Sequence, residues 1–572
     1  MKILGIGGFT HDASATLIDN GKVIAAAEEE RFTRQKHQAG WPTNAIDFCL
    51  KQGGITKADI DHIAFYWRPW SLDSMKSHGR RLMQVPMHPL FSAGFLLNDM
   101  HDTGMYLFHL KQLKKATGGK TKIHFIDHHD THGSVFFSSP YEEAAVLTID
   151  SRGEWATSVW YHGKGNQMKR VGRINLPNSV GVVCLSTTNF LGFRTGDEYK
   201  VMGLASYGTP KYLDKFRQMY QLKDDGTYSI DSSFFKVQHS PGRYCGYVSD
   251  KFLKLFGPQR EANAEITQDH MDIAASLQAA LEEIVFHMLN KLYELTGCKN
   301  LCLSGGVVQN SVMTGRIKEN TPFENIFMHS ASGDNGCSMG AAYWVHNQVL
   351  KQERGEVYPS SYLGPEYTDE EIKAQLDIAK LPYTRPDSIV EATADCIAQG
   401  KIVGWFQGRM EWGARALGCR SILADVTNPE MTNIVNRYVK HREDFRPFAP
   451  ACTLERASEF FEVDEPTPYM LYVVKARDAA KKRMPAIVHV DGSARLQTVE
   501  RHQHSRFYEL LEAMEQRKGV PCVLNTSFNI KGEPIVCSPK DAIECWSSTG
   551  IDSLVLGPYL IEKQKGEVER AA

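Results

Sequence analysis

The sequence predicts a mixed α/β protein of two domains, the first of them internally duplicated, and three observations lead there. Residues 3–27 and 144–174 repeat one succession: strand, acid-bearing loop, strand, tight turn, strand. Each repeat is followed by segments of helical periodicity. A chain of 572 residues is too long for a single hydrophobic core, and a connector-like run near residue 360 divides it.

In the first repeat, alternation predicts strands at Ile3–Gly7, Ala13–Ile18 and Val23–Ala27, with Asn20-Gly21 closing a hairpin. The second repeat predicts Ala144–Asp150, Trp155–Tyr161 and Met168–Ile174, with His162-Gly163-Lys164-Gly165-Asn166 as its turn. Duplication of a three-strand unit followed by helices is the trace of the actin-like ATPase architecture, in which two related halves close on a nucleotide and a metal. Between the repeats, residues 45–125 read as mostly helical around Pro69, Pro86 and Pro89, a lid over the cleft. Residues 209–262 show no clear period and read as an insertion shaping an acceptor pocket. Ile273, Leu277, Leu281, Val285, Met288, Leu289 and Leu292 make Ile266–Leu295 a long amphipathic helix. The expected division is a first domain over 1–355, a linker over 356–365 that includes Pro359 and Pro365, and a second domain over 366–572. The last opens on the helix-start signal Thr368-Asp369-Glu370-Glu371.

Composition narrows the partners. A net charge of −2, with both signs spread along the chain, offers no basic field for nucleic acid and no polybasic patch for a membrane, so small polar partners are expected. The twelve cysteines lack paired spacing, which fits a reducing cytoplasm. The segment Met1–Gly8 meets His11 and Asp12 too soon for a signal peptide, and no later run is apolar enough to span a bilayer.

Chemistry concentrates at a few stretches. His128 and His132 stand four apart, so a helix would put both imidazoles on one face within reach of one cation. Alone, the spacing also suits a wet surface helix. Asp150 ends an apolar strand and can bring a carboxylate to the same ion, and Asp334, in the glycine-rich turn Ser332-Gly333-Asp334-Asn335-Gly336, can complete the ligand set. Gly305-Gly306 after a strand, with Asn310 at the following helix start, suits close approach of a nucleotide, and Gly333 and Asn335 belong to the same reading. In the second domain, Arg409, Arg415, Arg420, Arg442 and Arg446 sit beside glycines and apolar residues. Cations are costly to bury without anions, so the run reads as a phosphate pocket; the alternative is a salt-bridge network with Glu411, Glu443 and Asp444. Arg495 and Asn525 add a further cation and an amide after a strand.

Over nearly its whole length the chain resembles the O-carbamoyltransferases of antibiotic and nodulation-factor biosynthesis, the group of the tobramycin and cephem enzymes. The stretches that carry the resemblance are Thr10–Ser14, Ala27–Phe32, His128-His129-x-x-His132, Tyr199–Ala205, Ser332–Gly336, Gly408–Gly418, Phe445–Pro450 and Asn525–Asn529. The resemblance implies an actin-like first domain similar to the tRNA threonylcarbamoyl-transfer enzyme and a second domain similar to threonylcarbamoyl-adenylate synthase. It implies activation of carbamoyl phosphate by ATP, with magnesium, to carbamoyl-adenylate in the second domain, where Lys440, Arg446 and Arg495 offset phosphate charge and Arg415, Ser421 and Asn525 assist. In the first domain a hydroxyl of a small natural product then takes the carbamoyl group. His128, His132, Asp150 and Asp334 hold a divalent metal, which the family favours as Fe(II). His11 either takes the acceptor proton or is a loop hydrogen-bonder, with Asp12 and Lys36 lining the pocket. Cys419 stands where the family commonly has Asn. A tRNA-modifying enzyme would share both domains but lacks its basic stripe here, and a sugar kinase or other actin-like ATPase would leave the arginine-rich domain without a task.

Overall fold

The protein is described by a computed structural model covering residues 1–8, 11–75, 89–240, 243–355, 357–358 and 360–563. Thr10, Pro86 and Pro359 lie outside the described residues. The described chain divides into two compact units: Met1–Glu29 with His37–Pro359, and Glu30–Lys36 with Ser360–Ala572.

The first unit holds two five-stranded sheets. In one, β1 (Lys2–Gly7), β2 (Ser14–Asp19) and β3 (Lys22–Glu28) form an antiparallel meander, and β4 (His62–Phe65) and β5 (Lys122–Phe125) add in parallel beyond β1. The strand order is β3-β2-β1-β4-β5. In the other, β6 (Glu143–Ile149), β7 (Ala156–Lys164) and β8 (Gln167–Asn175) form the meander, and β9 (Asn300–Ser304) and β10 (Asn325–Phe327) add in parallel beyond β6. Both halves thus have one topology: a central first strand, its hairpin partners on one side and two crossover strands on the other. That duplication is the actin-like architecture. β1 and β6 are buried along almost their whole length, which is why they read as apolar runs rather than alternating ones.

The meanders follow the predicted strands to within one residue at each end, except that β7 runs three residues past Tyr161 to Lys164, into the segment expected as the turn, and leaves Gly165-Asn166 to make it. The crossover strands β4 and β5 were not predicted: residues 45–125 hold two four-residue strands as well as helices over Thr43–Gln52 and Pro89–Ala116. Four residues are too few to show a period, and their pairing with β1 and with each other lies far along the chain. The described residues of 209–262 form two small two-stranded sheets and two short helices around an aromatic cluster in which Phe252 and Phe256 stack at 4.5 Å. The aromatic residues come from separate turns, so no period joins them.

Three helices matter for the site: α1 (His128–Gly133), α2 (Gln268–Thr296) and α3 (Cys337–Tyr343). α2 is the long amphipathic helix that the spacing predicts, started by a Thr267–His270 capping box and stopped by Gly297 in the left-handed conformation. α3 crosses to the first sheet. A Cβ on Gly5 would stand 1.8 Å from the Ser338 carbonyl oxygen, and one on Gly340 would stand 1.9 Å from that of Thr131. Glycine at these two places lets α3 lie directly on β1 and on α1, and Ser14 Oγ donates across the same contact to the Asn335 carbonyl at 2.9 Å. Gly340→Ala forces backbone apart at a close-packed contact. We expect a loss of about 3 kcal/mol, seen as an earlier denaturation midpoint, because α1 must move.

The second unit is a seven-stranded mixed sheet of β11 (Val403–Phe406), β12 (Arg420–Ala424), β13 (Ala449–Thr453), β14 (Gln497–Val499), β15 (Cys522–Ser527), β16 (Ser553–Leu556) and β17 (Tyr559–Glu562). Their order is β14-β13-β15-β12-β11-β16-β17. Trp405, Ile422, Leu423, Leu524 and Leu554 are buried in it, with helices such as Ser505–Lys518 over its faces. No helix among the described residues is long and apolar enough to cross a membrane.

Candidate functional site

The strand ends of the duplicated halves bring together the residues that the sequence singles out. α1 is short and wholly buried, and its two histidine rings stand edge to face at 4.6 Å. Both point at one oxygen: Asp334 Oδ1 lies 3.6 Å from His128 Nε2 and 3.4 Å from His132 Nε2. Asp150, at the end of β6, brings Oδ2 to 3.4 Å from His132 Nε2 and 4.0 Å from His128 Nε2. The Gly306 N–H donates to that same Asp150 oxygen at 2.9 Å, fixing the carboxylate at the foot of β9. A fifth donor, Cys337, is invisible to spacing because it opens α3, far from α1 in sequence. Its Sγ is 3.4 Å from His132 Nε2, and donor atoms of His128, His132, Asp334 and Cys337 lie within 4.8 Å of one another. His129 belongs to the scaffold: it reaches Thr148 Oγ1 at 2.8 Å and the Ala156 carbonyl at 3.0 Å.

The electrostatics ask for a cation here. Burial and the Asp150 charge push Asp334 up from the ordinary carboxylate range. Burial works against the Asp150 anion too, yet the hydrogen bond and the charge of His132, itself held above the imidazole range, and the Gly306 N–H outweigh it and hold that carboxyl far below its usual range. His128 is driven well below the imidazole range by burial and by His132, so its ring is neutral, the form that binds metals. Neither ring nitrogen of His128 makes a hydrogen bond, although both are buried. A buried neutral imidazole whose Nε2 faces two carboxylates without a hydrogen bond is costly as it stands, and a metal ion at Nε2 would satisfy that nitrogen. The cluster is a buried site able to hold one.

At its rim, exposed His11 reaches Asp12 Oδ2 at 3.0 Å through Nδ1 and Asp334 Oδ2 at 3.6 Å through Nε2. Desolvation opposes the His11 cation, but Asp334 and Asp12 outweigh it and hold the ring above its ordinary range. His37 pairs with Asp12 Oδ1 at 2.8 Å. Lys36 belongs to the Glu30–Lys36 segment of the second unit, where its charge bears on Lys440.

The glycine turns are tight. Gly305 has φ +108°, and a Cβ there would lie 2.1 Å from the Ile149 carbonyl oxygen, so β9 passes directly over the end of β6. Asn310 caps the next helix through Met313 N–H and donates to Gln278 Oε1 on α2 at 2.7 Å. Gly333 abuts the Gln309 amide, and Asn335 Nδ2 donates to Glu28 Oε1 at 2.5 Å.

In the second unit, cations gather at the ends of β12, β13 and β15. Arg495 is held well below the ordinary guanidinium range by burial and then by Arg415, Arg442 and Arg446, and its Nε is buried without a hydrogen bond. Lys440 is likewise depressed, by burial and by Arg442 and Arg446. Its ammonium donates to the Ser527 carbonyl and to Asn529, at 2.9 Å to the carbonyl and 2.8 Å to Oδ1, so it holds the turn after β15. Asn525 is pinned from Nδ2 to the Ala416 carbonyl at 3.2 Å and to Gln497 Oε1 at 2.7 Å, while its buried Oδ1 has no hydrogen-bond donor. Of the suspected salt-bridge partners, Glu443 pairs with Arg446 at 3.7 Å, whereas Glu411 accepts the N–H groups of Leu417, Cys419 and Arg420 at 2.7, 2.6 and 3.1 Å and winds the turn that leads into Ser421. Cys419 Sγ lies 3.2 Å from His504 Nε2.

Comparison with known proteins agrees with this two-part layout. The family model described as the carbamoyltransferase N-terminus matches residues 2–343, and that of the carbamoyltransferase C-terminus matches 394–563. An uncharacterised protein of Synechocystis is 39% identical over 98% of this chain and 96% of its own length. The nodulation protein NolNO of Sinorhizobium fredii is 37% identical over 98% of this chain and 80% of its own. The solved structure of HypF from T. kodakarensis is 13% identical over 61% of this chain and 48% of its own, at a TM-score of 0.32, too low to bear on function. With both halves of the chain matched and relatives above a third identical across its length, this protein belongs to the carbamoyltransferase family and is a transferase.

Proposed function

We propose that the second unit activates carbamoyl phosphate with ATP and that the first passes the carbamoyl group to a hydroxyl of a small natural product. The observation that carries this reading is the pairing, in one carbamoyltransferase chain, of a cation cluster around Arg495 with a buried metal-type site beneath glycine-rich turns. In the second unit, water releases phosphate from carbamoyl phosphate, and the carbamate oxygen displaces pyrophosphate from the α-phosphorus of ATP. Arg415, Arg446 and Arg495 meet the charge that builds on the departing groups, and Asn525 and Ser421 orient them. Lys440 keeps the Ser527–Asn529 turn in place and adds its charge. Magnesium accompanies the ATP.

In the first unit, His128, His132, Asp150 and Asp334, with Cys337 beside them, hold a divalent metal, which we assign as Fe(II); when bound it supplies Lewis-acid polarisation of the carbamoyl group. We assign the adenylate to the side of the cluster bordered by the Gly305-Gly306 and Gly333–Asn335 turns, where the Gly306 N–H holds Asp150. The acceptor oxygen attacks the carbamoyl carbon, the bond from that carbon to the adenylate oxygen breaks and AMP leaves, and the hydroxyl proton is shed at the rim that His11, kept in place by Asp12, lines.

The test is incubation with carbamoyl phosphate, ATP and a panel of hydroxylated aminoglycosides, polyketides and nucleosides. Pyrophosphate release that requires carbamoyl phosphate, and a mass gain of one carbamoyl group on an acceptor, are the expected results. Hydrolysis or transfer of the ATP γ-phosphate without pyrophosphate would instead make the protein a kinase-type ATPase. Carbamoyl transfer only to tRNA would overturn the small-molecule acceptor.

A further inference from the structure

The histidines of α1 come together only if that helix is held at one height and one rotation, yet it has just six residues and lacks the usual local anchor. Its N-cap, Asp127, makes no side-chain cap hydrogen bond. The orphan N–H at the start is met from a distance: both carboxylate oxygens of Glu154 accept the His128 N–H, each at 3.1 Å, and Oε1 also accepts the Arg68 N–H at 3.0 Å. Glu154 is 6% exposed, so these bonds are shielded from water. It ends the turn that begins at Asp150, and Gly153 in the same turn lies flat against α1, where a Cβ would be 2.9 Å from His129 Cδ2 and 3.3 Å from His128 Cβ. The outer face of α1 is gripped by Arg170, which pairs with Asp127 at 2.7 Å and with Asp130 at 2.7 Å, while the Tyr161 hydroxyl donates to Asp130 at 2.9 Å.

We propose that Glu154 is a positioning residue for the metal site: one five-residue turn delivers the Asp150 ligand from one end and sets the His128–His132 helix from the other. The inference rests on the metal reading of the cluster above. Remote partners that orient ligands typically hold about 10- to 100-fold of metal affinity.

Co(II), whose visible spectrum reports coordination geometry, is the probe, titrated into the full-length apoprotein. Glu154→Ala is expected to weaken Co(II) binding by about ten-fold or more and to shift or flatten the visible band, while far-UV circular dichroism stays that of the wild type. Glu154→Gln, which turns one acceptor into a donor opposite a backbone N–H, is expected to fall between the two, and it decides the matter if the alanine variant does not fold. A merely structural role would lower the melting temperature and leave affinity and spectrum alone; wild-type affinity and band shape in the folded variants overturn the proposal. If wild-type protein fails to bind Co(II), or if His128→Ala leaves binding intact, the metal reading itself fails. If those controls behave and only Glu154 proves indifferent, the fault lies with the positioning role alone.

Discussion

Replacing His128 and His132 together with alanine is expected to lower carbamoyl transfer by at least about a thousand-fold while leaving carbamoyl-phosphate-dependent pyrophosphate release close to wild type. The two rings supply both nitrogens of the buried cluster and converge on Asp334 Oδ1 at 3.6 and 3.4 Å, so no remaining pair of groups reproduces them. Without them Asp150 and Asp334 face each other across a cavity, and the repulsion that already raises Asp334 has no compensating cation. A thousand-fold loss corresponds to about 4 kcal/mol of transition-state stabilisation, within what a Lewis acid on a carbonyl supplies. The two half-reactions are read separately, by product mass and by pyrophosphate. Transfer that persists at the wild-type rate in the double variant would remove the metal from the mechanism. Loss of both half-reactions would mean that the activation step also depends on this cluster.

The converse separation is expected at Arg495. Its guanidinium is depressed by burial and by three neighbouring arginines, so in the free protein it is held against like charges and wants an anion. Arg495→Ala removes a donor that acts where charge develops on phosphorus and should lower pyrophosphate formation by roughly a hundred- to a thousand-fold. The same substitution relieves repulsion in the unliganded pocket, so stability should be unchanged or slightly increased, measured as the denaturation midpoint without substrate. The combination of a large catalytic loss with no loss of stability is the signature of a site arginine. A structural arginine would give the reverse, and that outcome would return the cluster to a salt-bridge network.

Much of this was legible before the fold. Alternation and apolar runs mark the six meander strands, because β1 and β6 are central and buried and their hairpin partners follow within a few residues. The helical spacing of His128 and His132 predicts that both rings share a face, and the structure puts both on Asp334 Oδ1. Other parts were hidden by distance along the chain. The crossover strands β4 and β5 have four residues each, and Cys337 carries no signal until α3 is seen lying on α1. Lys36 stands one residue before His37, which pairs with Asp12 in the first unit, yet it packs with the second, because the chain changes units between them.

The same division holds for chemistry. The sequence by itself determined which side chains are present and, through local spacing, that two imidazoles would share a helix face, that arginines would crowd beside glycines and that one three-strand unit would occur twice. Only the tertiary structure decided which distant groups meet them. Asp150 reaches the histidines from the end of β6 and Asp334 from the turn that leads into α3, and Glu154 can stand in for a missing cap because a turn folds back on α1. Hydrophobic period is a short-range property of the chain, whereas a ligand set is made of contacts between residues up to some two hundred positions apart, such as His132 and Cys337. Packing alone selects those.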